Sequence, residues 1–368
     1  MHKSIAAILL GHLLLGGCEL PRATDTAPRF PQGATLFEQA QSLRAAHAIP
    51  ALALSEFSCA AYDVALVGVL RNDQDTEITP LAHFNIGSNA KSMLATAAAR
   101  LSEQGRLDLD ASLQTVWPEA AATAPDKSEI TLAQLLAHSS GLPAFDTGRA
   151  QEQVPDFTGG DVPVTQATAM WFLQQPLVSS PGKKTLYSNA GYIVAGGVLE
   201  RITGLPFESI LREALFEPLQ IDAAFGEPRH LSAADPFGHY VSKTAVTPYI
   251  EDEPPIPPYL TAAGNVALSM EDYVTYLQVH LCGLQGRETG LLSAETVRRL
   301  HTAALEDGAA LGWGITEFGG EVTSFHIGGT GDFTAYVALS PGQDKGVAAL
   351  LNVGGVPAAP LRSWLIDR

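Results

Sequence analysis

The chain has 368 residues, 46% of them hydrophobic, enough for one large or two modest packed domains, which argues against a disordered chain. Against 22 Lys and Arg stand 39 Asp and Glu, a net charge of -17 that repels phosphate backbones, so no nucleic-acid partner is expected. No repeat period recurs, which excludes a solenoid or propeller.

Residues 1–17 read as an export signal, with Lys3 as the positive start and an apolar run from Ile5 to Leu15 too short to span a bilayer comfortably. The following Leu15, Gly16, Gly17, Cys18 resembles a lipobox, in which the cysteine is lipidated and becomes the first residue. An ordinary secretory signal cut nearby and a chance cysteine in an uncleaved anchor are the alternatives. Residues 18–34, with Pro21, Pro28 and Pro31, suit a tether between a lipid anchor and a folded body. The expectation is an exported bacterial lipoprotein facing the periplasm or cell envelope, held to the membrane through Cys18. Cys59 and Cys282 then share an oxidising compartment, and a disulfide or two separate buried thiols are equally open.

The folded domain, 35–368, opens with a helical pattern from Thr35 to His47 and two strands, Ala51–Leu54 and Ala61–Leu70. Ser88–Gln104 is an Ala-rich helix with Leu94, Ala97, Ala98 and Leu101 on one face and Gly105 at its end. A region of about 116–264 reads as helices joined by Pro- and Gly-rich loops. Within it, Thr131 and Gln134 form a capping box, with Gly141 and Pro143 expected to stop the helix, and a second helix runs from Ala190 to Thr203, ended by Gly204. Glu251–Pro255 reads as an acidic, solvated loop. After a helix at Ser269–Leu281, strands are expected at Gly312–Phe318, Glu321–His326, Thr334–Leu339 and Val347–Asn352. The whole is an α+β fold: an antiparallel sheet built from both chain ends (about 35–115 and 265–368) and flanked by helices, with a mostly helical insertion.

A helix beginning at Ser88 puts Lys91 one turn away on the same face, where a neutral amine can act as base for the hydroxyl. Burial and the positive helix end both push a lysine toward neutrality. The spacing alone is weak: Ser180 and Lys183 repeat it, but Pro181 and Gly182 between them argue for a loop. Tyr187, Ser188 and Asn189 precede a helix. Asn189 suits a helix cap, or an amide that donates to a substrate carbonyl, while the Tyr187 hydroxyl suits a proton shuttle. His326 ends a strand and opens into Gly328 and Gly329, where backbone can approach a substrate; a core histidine beside a turn is the structural alternative. No metal-ligand spacing and no cofactor motif is present.

Together Phe84–Lys91 (FNIGSNAK), Leu107–Asp110, Ile130–Pro143 (ITLAQLLAHSSGLP), Leu186–Gly191 (LYSNAG), Leu311–Gly314 and His326–Gly328 resemble, in order, the serine β-lactamase and penicillin-binding-protein superfamily, in its class C-like branch with D-peptidases and esterases. The resemblance covers about residues 35 to 355. It implies an acyl-enzyme in which Ser88 attacks, Lys91 and Tyr187 manage protons, Asn189 and His326 bind substrate, and the backbone N–H groups of Ser88 and Gly329 form an oxyanion hole. Many β-lactamases carry Lys-Thr-Gly where this chain has His326, Ile327 and Gly328, so a permanent positive charge is missing. The expected function is a cofactor-free serine hydrolase for an amide or ester, a D-amino-acid peptide or a weakly turned over β-lactam among them. An acylated sensor that does not turn over is the alternative. Oligomeric state is left open.

Overall fold

The structure is a computed structural model and describes residues 33–146, 153–242, 245–249, 256–318 and 320–355. The export signal, Cys18, the tether up to residue 32 and the acidic loop Glu251–Pro255 lie outside the described residues. Among the described residues, no helix is long and apolar enough to cross a membrane.

Helix α1 (Leu36–Ala46) starts where Thr35 and Glu38 close a reciprocal capping box. Leu36, Ala40 and Leu43 recur at helical spacing and pack on the outer face of the main sheet, where each leucine contributes about 1.5–3 kcal/mol by burial. Strands β1 (Ala51–Phe57) and β2 (Tyr62–Gly68) come from the first part of the chain. Alternate residues of β1 face opposite layers: Leu52 and Leu54 meet α1, while Ala51 and Ala53 meet the helical side. Burial on both faces explains why the first four residues of β1, Ala51–Leu54, read as an unbroken apolar run.

The short strand β3 (Phe84–Asn85) leads into the site. Helix α2 spans Ala90–Glu103 and does not begin at Ser88 as expected. Gly87–Asn89 form a 3₁₀ turn instead, because the Asn85 side chain accepts the Gly87 N–H at 2.9 Å and Gly87 adopts a left-handed φ of 52°. Helix α3 (Leu132–Leu136) has the expected Thr131–Gln134 capping box, yet ends well before Gly141 and Pro143. It stops in a Schellman motif: Ser139 N–H reaches Gln134 O at 2.9 Å, His138 N–H reaches Leu135 O at 3.3 Å, and His138 takes the left-handed position with φ 56°.

Helices α4 (Val164–Leu173) and α5 (Asn189–Thr203) pack together in the middle region. The cap of α5 is Ser188, whose hydroxyl accepts the Gly191 N–H at 2.9 Å; Asn189, read as a possible cap, is the first helical residue. Gly204 ends α5 in the left-handed conformation, as the sequence indicates. The middle region also holds strand β4 (Ala223–Phe225) and a hairpin of His239–Val241 with Val246–Pro248. Strand β5 (Val266–Leu268) lies between β3 and β4 in a second, three-stranded sheet.

Helices α6 (Met270–Leu284) and α7 (Ala294–Leu300) precede the closing meander β6 (Gly314–Phe318), β7 (Glu321–Gly329), β8 (Thr334–Ser340) and β9 (Lys345–Leu351). The main sheet is antiparallel in the order β2-β1-β9-β8-β7-β6, so its first and last segments pair directly, Leu54 opposite Ala349. Both chain ends do build one sheet. Cys59, just after β1, is disulfide-bonded to Cys282 on α6, with Cα atoms 5.4 Å apart, and the two do not remain separate thiols.

Candidate active site

From Phe84 to Ala99 every residue is buried except Ser88, which is half-buried. The turn before α2 therefore lifts one hydroxyl out of an otherwise solvent-free segment. Its N–H belongs to the leading turn of a helix, where amides lack intrahelical acceptors and point at an incoming negative charge. Lys91, one turn on, places Nζ 3.0 Å from Ser88 Oγ and also donates to the carbonyl of Ala263. Its side chain is fully buried, no carboxylate among the described residues pairs with it, and burial pushes it well below the ordinary lysine value.

Tyr187 brings its hydroxyl to 2.5 Å from Ser88 Oγ, and its ring lies under Lys91 Nζ at 5.0 Å from the centroid. Burial pushes this phenol up, so it is a proton donor at neutral pH, while Lys91 is pushed toward the neutral base. Two groups on one hydroxyl are thereby driven to opposite proton-transfer roles.

His138 and Tyr192 complete the surroundings, and neither was singled out from the sequence. The His138 ring packs on Tyr187 at 4.6 Å between centroids and on Tyr192 at 5.0 Å. Tyr192 donates its hydroxyl to Leu136 O at 2.6 Å. Burial, then Lys91, then His326 hold His138 well below its ordinary value. A histidine three residues before a glycine carried no local signal for this role, because it depends on the left-handed end of α3.

Strand β7 forms the opposite side. Gly328 packs so closely on the Ser88 turn that a Cβ there would sit 2.1 Å from Ile86 O and 2.9 Å from the backbone nitrogens of Ser88 and Asn89. Gly329 N in turn would lie 2.4 Å from a Cβ on Gly87. These contacts put the Ser88 and Gly329 amides on adjoining pieces of backbone, the arrangement an oxyanion hole needs. His326 is half-buried, its Nδ1 3.1 Å from Ile327 O; burial, then Lys91, push it well below its ordinary value, so it is neutral.

Asn189 lies beside Tyr187 but is buried, and its amide donates to Phe145 O at 2.9 Å. In this state it holds the loop after α3 against α5. The second Ser-x-x-Lys match is a turn: Ser180 and Lys183 are exposed and Gly182 has φ 73°. Among the described residues no cluster of His, Cys, Asp and Glu could hold a metal.

A buried relay ties α2 to β7 behind the site. Ser324 Oγ lies 2.8 Å from His301 Nδ1, His301 Nε2 lies 2.9 Å from His280 Nδ1, and His280 Nε2 lies 3.2 Å from Thr96 Oγ1, which donates to Ser92 O at 2.8 Å. One donor order satisfies every member: Ser324 O–H to His301, His301 Nε2–H to His280, His280 Nε2–H to Thr96. It requires both imidazoles to be neutral, and burial pushes both down, His280 to about 3.

Comparison with known proteins gives the family and the fold. Penicillin-binding protein 4 of Amycolatopsis lactamdurans is 28% identical over 338 residues, covering 87% of this chain and 84% of that protein. Among solved structures, the octameric penicillin-binding protein homologue from Pyrococcus abyssi has a TM-score of 0.75 at 25% identity, over 91% of this chain and 78% of its own. A class C β-lactamase from Rhodobacter sphaeroides shares the fold with a TM-score of 0.70 at 21% identity, over 89% of this chain and 96% of its own. The sequence model of the beta-lactamase family matches residues 39–367, and the chain belongs to the beta-lactamase family.

Proposed function

We propose that this protein is a serine hydrolase that cleaves an amide or ester through an acyl-enzyme on Ser88. Family membership supports hydrolase chemistry. The observation that carries the specific reading is the pair of contacts on one half-exposed hydroxyl, Lys91 Nζ at 3.0 Å and Tyr187 Oη at 2.5 Å, with the lysine fully buried.

In the forward step Lys91 takes the Ser88 proton as Oγ bonds to the substrate carbonyl carbon, and the oxyanion falls to the amides of Ser88 and Gly329. Collapse breaks the bond to the leaving nitrogen or oxygen, which takes a proton from Tyr187, and the Lys91 ammonium returns one to Tyr187. Water then loses a proton to Lys91 as its oxygen bonds to the acyl carbon, the bond from that carbon to Ser88 Oγ breaks, and Oγ takes the proton back from the Lys91 ammonium, which frees the acid product and Ser88.

A neutral His326, where many β-lactamases have lysine, favours substrates that do not depend on an ion pair with a carboxylate. Peptides of D-amino acids and simple esters fit this better than β-lactams. His326 and Asn189 are assigned to substrate binding; Asn189 would exchange its Phe145 partner for the substrate carbonyl. We also propose that Cys18 anchors the chain by lipid on the envelope side, a reading supported by the Cys59–Cys282 disulfide, a bond of oxidising compartments.

A fluorophosphonate probe followed by intact-mass analysis tests the nucleophile: wild type gains one adduct and Ser88→Ala gains none. Equal labelling of both would remove the assignment. A p-nitrophenyl ester series then separates an enzyme, which continues, from an acylated sensor, which releases about one equivalent and stops. Radiolabelled palmitate incorporation, lost in Cys18→Ala, checks the anchor.

A further inference from the structure

His138 grips the chain on both sides of Tyr187. Its carbonyl accepts the Leu186 N–H at 2.8 Å, its Nδ1 accepts the Ser188 N–H at 3.1 Å, and its ring packs on the Tyr187 ring between them. One residue therefore fixes the backbone before and after the tyrosine and one face of its side chain. Ser188 is also the cap of α5, with its hydroxyl bonded to Pro143 O at 2.7 Å, so the grip is anchored to a helix end.

The backbone at this point is unfavourable for a histidine. The left-handed position that ends a helix is usually glycine, and an L side chain there costs about 1–2 kcal/mol. Here the position is buried and held at φ 56°. Nothing in the termination of α3 needs an imidazole, since the two closing hydrogen bonds use backbone atoms only. What the side chain adds is its contacts to Ser188, Tyr187 and Tyr192, of which the first two bear on the position of the Tyr187 hydroxyl.

We infer that His138 is the positioning residue for Tyr187: its unprotonated Nδ1 and its ring hold the phenol hydroxyl on Ser88 Oγ. The inference rests on Tyr187 being the proton donor proposed above. His138 touches neither Ser88 nor a reacting atom, and acts through the tyrosine alone. The Ser188 N–H fixes the tautomer with the proton on Nε2, because Nδ1 must accept.

The test compares His138→Phe, which keeps an aromatic ring and loses the acceptor, with His138→Asn, whose Oδ1 can take the place of Nδ1 and which tolerates left-handed backbone. His138→Phe should slow fluorophosphonate acylation and kcat by about 10²-fold, the effect of a displaced reacting group, with KM within about threefold. His138→Asn should recover to within about threefold of wild type. In a Tyr187→Phe background, His138→Phe should add less than about twofold, since its effect runs through the missing hydroxyl. A wild-type rate in His138→Phe, or its full penalty persisting without the tyrosine hydroxyl, would overturn the inference. If the Phe variant does not fold, His138→Asn is read alone: a folded protein slowed about 10²-fold also overturns it. Ser88→Ala labelling keeps the two levels apart, because lost labelling there upholds the nucleophile whatever His138 does.

Discussion

Gly328→Ala is the sharpest perturbation of the geometry around Ser88. The added methyl would start 2.1 Å from Ile86 O, whereas an ordinary contact begins near 3.4 Å, so β7 and the Ser88 turn must part by about 1.3 Å. The neighbours it meets are backbone atoms of Ile86, Ser88 and Asn89, which have no rotamer to change. A displacement of about 1 Å at a reacting group lowers rate by about 10²-fold, equivalent to about 2.7 kcal/mol in the barrier. The assay is the second-order rate of fluorophosphonate acylation alongside a thermal melt. Gly329→Ala is the structural control: its methyl meets nothing nearer than Phe333 O at 3.4 Å and should leave the melting temperature within a few degrees. A Gly328→Ala protein that acylates at the wild-type rate would refute the close packing of β7 on the nucleophile turn.

Lys91→Met should cut turnover by about 10³-fold without lowering the melting temperature, as read by calorimetry. Folded Lys91 is held well below its ordinary value, so the unfolded chain binds its proton first as pH falls through about 10.4, and removing the lysine removes that penalty. Breaking the Cys59–Cys282 bond, which joins residues 223 apart, should destabilise the domain by up to about 5 kcal/mol on the chain-entropy account, measured by urea unfolding with and without reductant. His280 and His301 stay neutral when folded and charge when unfolded. Stability should therefore fall as pH drops below about 6.5, by about 1.4 kcal/mol per pH unit for each imidazole. Replacing both with glutamine should lower the slope of denaturation free energy against pH by up to about 2.7 kcal/mol per pH unit between about pH 6 and pH 4, and an unchanged slope would contradict their burial as neutral bases.

What the sequence revealed divides by how local the cause is. The Thr131–Gln134 capping box, the Gly204 helix end and the closing meander follow from residues a few positions apart, and they appear as read. Ser88, Lys91 and Tyr187 were legible because motif order substituted for distance, and the structure brings all three together. The start of α2 was misread because the Asn85 side chain competes with helix for the Gly87 amide. The end of α3 was misread because a non-glycine occupies the left-handed position, which no composition rule favours. Whether Cys59 and Cys282 meet, and that His280 and His301 stack end to end, depends on segments distant in sequence, so spacing carried no information on either.

The relay from Ser324 to Thr96 also bears on how the molecule moves. Every proton in it is committed in one direction, so α2 cannot slide past β7 without breaking a bond that water cannot replace. Ser88, Lys91 and Gly328 thus ride on a single stiff block. Tyr187 comes from the middle region and meets that block through its hydroxyl on Ser88 and its ring under Lys91. Amide hydrogen exchange should therefore be slowest along α2 and β7, where the relay holds the Ser88 turn.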